Sequence, residues 1–147
     1  MKTFHLEVMT PEKTVFDGDV KSLIAPAEGG LLGVLPGHAP LLTSVEVGEC
    51  RADLPDGGTV FFFVGNGFLE VEHDHARLLC DVAERGDEID EARARAAEAR
   101  ARERLKRRSD ADLDIARAEL ALRKATIRQK IIRDLKGSGT FHHRSTG

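Results

Sequence analysis

The pattern of apolar and polar positions divides the chain in two. Near the N-terminus Phe4, Leu6 and Val8 alternate with His5, Glu7 and Met9, the two-residue period of a half-buried strand. Turn signals follow at Asp17-Gly18, Glu28-Gly29-Gly30, Pro36-Gly37, Val47-Gly48-Glu49, Asp56-Gly57-Gly58, Gly65-Asn66-Gly67 and Asp74. Short apolar runs fill the intervals, notably 60–64, 68–71 and 78–82. This spacing predicts an all-β domain over residues 1–86, a sandwich or barrel of short antiparallel strands. Gly65-Asn66-Gly67, between two such runs, reads as a hairpin turn rather than a phosphate loop.

After Gly86 the period becomes helical. Asp87 is placed to cap a helix continuing through Glu88, Ile89 and Asp90, with acids in the first turn where the helix dipole favours them. From Ala92 to Leu105 nearly every residue is Ala, Arg or Glu, and Ile89, Ala92, Ala96 and Ala99 fall on one face. Ser109-Asp110 interrupts the pattern and offers a second cap. A second helix then carries Leu113, Ala116, Leu120, Ile127 and Ile131 at helical spacing and ends at Gly137-Ser138-Gly139. The short break predicts an antiparallel α-helical hairpin over 87–137. A disordered tail is expected over 138–147, including His142 and His143. Alanine buries little area, so a hairpin built on it should be marginal alone and easily detached. Extended, its second helix would reach about 40 Å.

Charge sharpens the division. The net charge is -3, yet residues 1–86 hold six Lys or Arg against fourteen Asp or Glu, and residues 87–147 hold sixteen against eleven. The halves therefore meet different partners, or each other. The slightly acidic whole, without aromatics interleaved among its basic residues, argues against nucleic acid. No apolar stretch approaches the roughly 20 residues needed to cross a bilayer, and the N-terminus lacks the apolar core of a secretory signal.

Catalytic chemistry is hard to find. The chain has no Walker-type loop, no GxSxG and no HExxH, so no catalytic residue and no metal site are expected. His73 and His75 flank Asp74 in what reads as a polar turn. Cys50 and Cys80 form no metal or redox motif and read as small strand residues, their pairing left open. Two features remain. In Gly29 to Leu42 the apolar residues are cut by glycines and by Pro36 and Pro40, which predicts a tight, ordered loop bearing His38. Asp90, Arg93, Ala97 and Arg100 form one stripe of the first helix, with Lys124 and Arg128 able to face it from the second. Guanidinium groups beside an acid suit a nucleotide; from spacing alone, ion pairing on a solvated surface is the favoured reading.

Together, FHLEVMTPEKTVFDGDV (4–20), GVLPGHAPLLT (33–43), GNGFLEVEHDHARLLCDVAER (65–85), IDEARARAA (89–97) and RAELALRKATIR (117–128) resemble the epsilon-subunit family of bacterial F-type ATP synthases. The resemblance spans nearly the whole chain. It implies a noncatalytic subunit of the rotor's central stalk, peripheral on the cytoplasmic face of the bacterial inner membrane and held there only through the complex. The sandwich would bind the gamma subunit and rest on the c-ring, coupling proton-driven rotation to the catalytic head. Leu31, Leu32, Val34, Pro36, Gly37, His38 and Ala39 would serve that contact. Family members often carry an acid where this chain has Leu31, which shifts the expectation from charge to apolar packing. The helices would swing out along gamma, meet the alpha and beta catalytic subunits, and restrain ATP hydrolysis. Basic residues from Arg104 to Arg108 and from Arg117 to Arg133 would face acidic segments of beta.

No cofactor is required, but regulatory ATP is implied. Residues 89–94 match the I/L-D-x-x-R-A motif of ATP-binding members, which carries over Ile89, Asp90, Arg93 and Ala94, with Arg100 and Arg128 as partners. Where such members have a further arginine this chain has Lys124, which keeps the charge and loses the bidentate fork. Two other readings stay open: a free-standing ATP-binding regulator, and a β-sandwich adaptor whose helices dimerise as a coiled coil.

Overall fold

A computed structural model describes residues 2–107 and 112–137, with backbone alone for 112–114. Ten strands precede the helices: β1 (Phe4–Met9), β2 (Thr14–Val20), β3 (Ser22–Ala27), β4 (Gly30–Val34), β5 (Leu41–Val45), β6 (Gly48–Asp53), β7 (Thr59–Val64), β8 (Gly67–Glu72), β9 (His75–Cys80) and β10 (Ala83–Arg85). Two helices follow, α1 (Glu91–Arg107) and α2 (Asp112–Gly137). The strands join in the order β10-β7-β6-β3-β5-β8-β9-β1-β2, with β4 on the free side of β3. β10 also lies against β2, so the path nearly closes into a flattened barrel of two layers. All pairs are antiparallel except β1 and β9, which run parallel.

The core between the layers comes from the inward positions of alternating strands. Leu6 and Val8, Leu23 and Ala25, Leu69 and Val71, and Leu78 with Phe62 meet there, and Cys50 and Cys80 lie in it as free thiols. Burial raises both thiols, Cys80 to about 12, so neither is a nucleophile at neutral pH.

Gly65-Asn66-Gly67 is not the expected hairpin turn. β7 pairs with β6 and β10, whereas β8 pairs with β5 and β9. The three residues are a corner where one long strand leaves the first layer and enters the second. Its partner bends with it, since Gly65 N–H donates to Val82 O at 2.8 Å and Asp81 N–H to Asn66 O at 2.9 Å. The glycines are there for closeness: a Cβ on Gly67 would stand 2.0 Å from the Leu79 carbonyl oxygen. Asp17-Gly18 is likewise no turn. Gly18 lies inside β2 opposite Leu6.

Phe61-Phe62-Phe63 shows how the two halves join. Phe62 points into the sandwich, while Phe61 and Phe63 point out of it into a second, smaller core. There they meet Val47 and Ile131 of α2, with Ile89, Ile127 and Leu135 around them. Ile131 is fully buried, and its Cγ2 presses where a Cβ on Gly86 would be, 2.8 Å away.

The helical seam differs from the expected one. On α1 the buried residues are Ala94 and Ala101; Ala92, Ala96 and Ala99 are exposed. On α2 Ala118, Ala125 and Ile132 are buried, whereas Ala116 and Leu120 face solvent. The seam steps by seven residues on both helices and is alanine except at Ile132, because so small a side chain lets the axes approach closely. A face chosen by spacing alone is ambiguous when nearly every third residue is alanine. Asp87 is not the helix cap either. Residues 86–88 form a 3-10 turn, Asp87 pairs with Arg85 at 3.3 Å, and α1 begins at Glu91 behind Asp90. The break at Ser109-Asp110, the cationic Arg108 and the tail from Ser138 to Gly147 lie outside the described residues, as does the Leu113 side chain.

Ile131→Ala is expected to weaken attachment of α2 to the sandwich by about 2–5 kcal/mol, the usual loss for a buried isoleucine. Amide exchange in α2 should accelerate while that of β1 and β9 stays unchanged. Gly67→Ala should prevent the sandwich from folding, read as loss of the cooperative thermal transition, because its clash is with backbone.

Candidate nucleotide cleft and docking surfaces

Asp90 positions the first candidate site. Its Oδ1 accepts the Arg93 N–H at 3.1 Å and its carbonyl accepts the Ala94 N–H at 3.0 Å, so it is the N-cap of α1. The cap sets the start of the helix and hence the stripe that follows. Ile89, Asp90, Arg93, Ala94, Ala97 and Arg100 line a cleft of about 500 Å3 between α1, α2 and the sandwich. Arg128 enters it from α2, and Glu84 and Glu88 are also in the lining. The size lies in the roughly 300–1,000 Å3 range of small-molecule sites.

Arg128 is held from two sides. Its Nε donates to Glu84 at 2.8 Å, and its guanidinium lies 4.1 Å above the ring of Phe63. The planar fork is thereby oriented before any ligand arrives. Arg93 and Arg100, in contrast, make no ion pair among the described residues. The cleft thus has one fixed and two adjustable guanidinium groups, an arrangement able to take up several phosphate oxygens. Asp90 retains Oδ2 for a hydroxyl or amine. Lys124 is not among the residues lining the cleft.

The Pro-Gly loop is a type II turn. Pro36 precedes Gly37 at φ +82°, and His38 N–H donates to Leu35 O at 3.1 Å. The Asp74 carboxylate accepts the Gly37 N–H at 2.7 Å, tying the loop to the β8–β9 turn, and His38 Nδ1 donates to Ala39 O at 2.7 Å. Of the apolar residues, Val34 is buried, Leu32 packs against the core, and Leu31 is 76% exposed, as Leu35 largely is. Pro36 and His38 are half-buried, while Gly37 and Ala39 are exposed. The loop is thus half core and half free surface.

Sequence reasoning missed a second apolar surface. On the outer face of the second layer Ser44, Phe68, Leu79 and Met9 fall in one cross-strand row. Phe68 is 59% exposed, and Leu79 and Leu42 are exposed beside it. The next row begins with Leu42 and continues through the charged Glu70, Arg77 and Glu7, with Arg77 bonded to Glu7 at 3.3 Å. The signal was present: Phe68 and Leu79 occupy outward positions of strands whose inward positions are already apolar.

Both structural parts have known counterparts. Residues 3–86 match the family described as ATP synthase, Delta/Epsilon chain, beta-sandwich domain, and residues 87–133 match the corresponding long alpha-helix domain. The ATP synthase epsilon chain of an Exiguobacterium species is 41% identical over 136 residues, 92% of this chain and 99% of the relative. That of Desulforamulus reducens is 45% identical over 130 residues, 88% and 96%. The chain belongs to the ATP synthase epsilon chain family. Among solved structures, a chain of the Euglena gracilis mitochondrial ATP synthase has the same fold, with a TM-score of 0.65 at 17% identity over 92% of this chain and 81% of that one. A chain of the Tetrahymena thermophila central stalk and c-ring gives 0.57 at 12% identity over 89% of this chain and 97% of its own.

Two of the described histidines, His5 and His75, join strands. His73 sits in the β8–β9 turn at φ +51°, and His75 Nε2 bonds Glu7 across β9 and β1 at 2.6 Å. His5 bridges Asp19 and Asp17 of edge strand β2. The Asp19 bond raises the His5 pKa, Asp17 adds to it, and partial burial opposes both. A raised histidine stabilises the fold fully below its ordinary 6.5 and loses that contribution as pH climbs through the raised value. Exchange of β2 amides, corrected for intrinsic rate, should therefore accelerate from pH 6.5 upward through that value. His5→Gln should remove the step.

Proposed function

We propose that this chain is a noncatalytic central-stalk subunit of an F-type ATP synthase, whose sandwich docks on the rotor and whose helices form a regulatory arm governed by ATP. Family membership supports the assembly. One observation carries the regulatory part: α1 meets α2 along alanines, while α2 meets the sandwich through one small core centred on Ile131. An arm held by so little apolar area is one that other ligands can shift.

The two exposed apolar surfaces suit two rotor partners. The row of Phe68, Leu79 and Met9 on a rigid sheet offers a broad face for the gamma subunit. Leu31, Leu35 and the turn at Pro36-Gly37-His38 offer a narrow tip for the c-ring. No described helix is long and apolar enough to cross a membrane. Attachment at the cytoplasmic face of the inner membrane would therefore run through the complex. Released from the sandwich, α2 at 26 residues would span about 39 Å, enough to reach along gamma toward the alpha and beta subunits. Its cationic residues, among them Arg117, Arg123 and Arg133, would meet acidic surface there.

ATP in the cleft would bridge Arg93 and Arg100 of α1 to Arg128 of α2, so binding would favour the retracted arm. Linkage gives about 1.4 kcal/mol of stabilisation when ATP is tenfold above its Kd. ATP should raise the melting temperature of the isolated chain, and Arg93→Ala or Arg100→Ala should weaken that rise at least tenfold in ATP concentration. No heat and no melting shift at millimolar ATP would overturn the sensor. Phe68→Asp should abolish co-purification with gamma, while Leu31→Asp with His38→Asp should weaken retention on the c-ring. Unchanged assembly of both variants would overturn the docking assignment.

A further inference from the structure

A second cluster joins the sandwich to α2 two residues along the helix from Arg128, on a groove that shares no lining residue with the nucleotide cleft. Lys130 Nζ donates to Glu49 Oε1 of β6 at 2.7 Å and to Asp134 Oδ2, one turn along α2, at 2.8 Å. The three line one end of an open groove between β6 and the end of α2, about 730 Å3 in volume. One ammonium thus serves two carboxylates, and the Glu49 and Asp134 side chains lie within hydrogen-bonding reach of each other. Glu49 Oε2 is buried with no donor to accept from. Ionised, Glu49 faces a like charge and leaves a buried acceptor empty; protonated, it becomes a donor beside an acceptor.

We infer that Glu49, Lys130 and Asp134 form a proton-sensitive latch that holds α2 to the sandwich when Glu49 carries a proton and loosens when it does not. The inference rests on the reading of the helical pair as a mobile arm. Among the described residues, the other charged groups facing the cluster are Arg51 on β6 and Arg133 on α2. Arg51 is already paired with Asp53 at 3.4 Å, and Arg133 acts on Asp134. β7 contributes Thr59 and Phe61, and β3 contributes Ile24, none of which titrates. Burial raises the Glu49 pKa above the ordinary value of 4.5, and Asp134 raises it further against the pull of Lys130. Asp134 is itself buried in part, which opposes its charge, yet the bonds from Lys130 and Glu49 hold it low.

The sign follows. A carboxyl whose pKa is raised by docking stabilises the docked state below 4.5 and loses that contribution as pH climbs through the raised value. Glu49 and Asp134 share one ammonium and titrate as a pair, with Glu49 the member pushed toward its neutral form and Asp134 the member held ionised. Each unit by which docking raises the Glu49 pKa corresponds to about a tenfold change in the docking equilibrium. Acid clamps the arm and alkali frees it, independently of nucleotide.

Hydrogen exchange of the full chain without ATP tests the latch, with rates corrected for intrinsic exchange between about pH 5 and pH 8 and core amides of β7 as the gauge of global unfolding. In the wild type the opening constant of α2 should rise severalfold with pH while that of β7 stays level. Glu49→Gln, which keeps a donor toward Asp134 and an acceptor for Lys130, should hold α2 closed across the range. Asp134→Asn should move the transition to lower pH. Equal pH responses in the wild type and Glu49→Gln would overturn the latch and leave the mobile arm standing. Exchange of α2 only through global unfolding at every pH would overturn the latch and the arm together.

Discussion

The placement of the helices on the sandwich depends on one contact: Ile131 of α2 set against Phe61 and Phe63 on the outside of β7. It makes β7 a strand buried on both faces, with one face in the sandwich core and the other under a helix. Because Gly86 has no side chain, the isoleucine can sit close enough to fill the space. The contact brings Arg128 over Phe63 and beside Glu84, which completes the candidate cleft. It also brings Lys130 to Glu49, which completes the latch. Without it α2 would have only an alanine seam to hold it.

This arrangement gives the charge asymmetry a meaning. The acidic sandwich and the cationic helices are partners of each other while docked, through the ion pair of Arg128 with Glu84 and the bond that the Lys130 ammonium gives to Glu49. Those pairs are partly exposed, and such pairs contribute roughly 0–1 kcal/mol each. Apolar burial therefore decides that the arm docks, and the ion pairs adjust how tightly. A small core trimmed by polar contacts suits the proposed mobile arm, since nucleotide or protons would need to supply only a modest difference.

The sequence revealed the architecture better than its joints. Strand alternation and the change of period at Gly86 marked the two parts, and the arginine stripe on α1 marked residues that do share one cleft. The corner at Gly65-Asn66-Gly67 was not legible, because a turn and a bend between layers use the same residues and only the partners differ. The seam of α1 was not legible either: with alanine almost everywhere, burial follows where α2 lies, which local pattern does not encode. Phe61-Phe62-Phe63 held the clue to the second core, since three large apolar residues in succession leave no face for water. Lys124 stayed outside the cleft lining because the Ile131 contact fixes the rotation of α2, and that rotation points Arg128 inward.

The central claim is that α2 is docked reversibly through this small core. Spin labels on cysteines placed at Lys13 in the sandwich and Leu120 on α2 would measure it by pulsed dipolar spectroscopy; both sites are exposed, and native Cys50 and Cys80 are buried. The account predicts two distances, one docked and one longer, with Ile131→Ala shifting the population toward the longer and ATP toward the shorter. A single distance, unmoved by Ile131→Ala and by ATP, would contradict it.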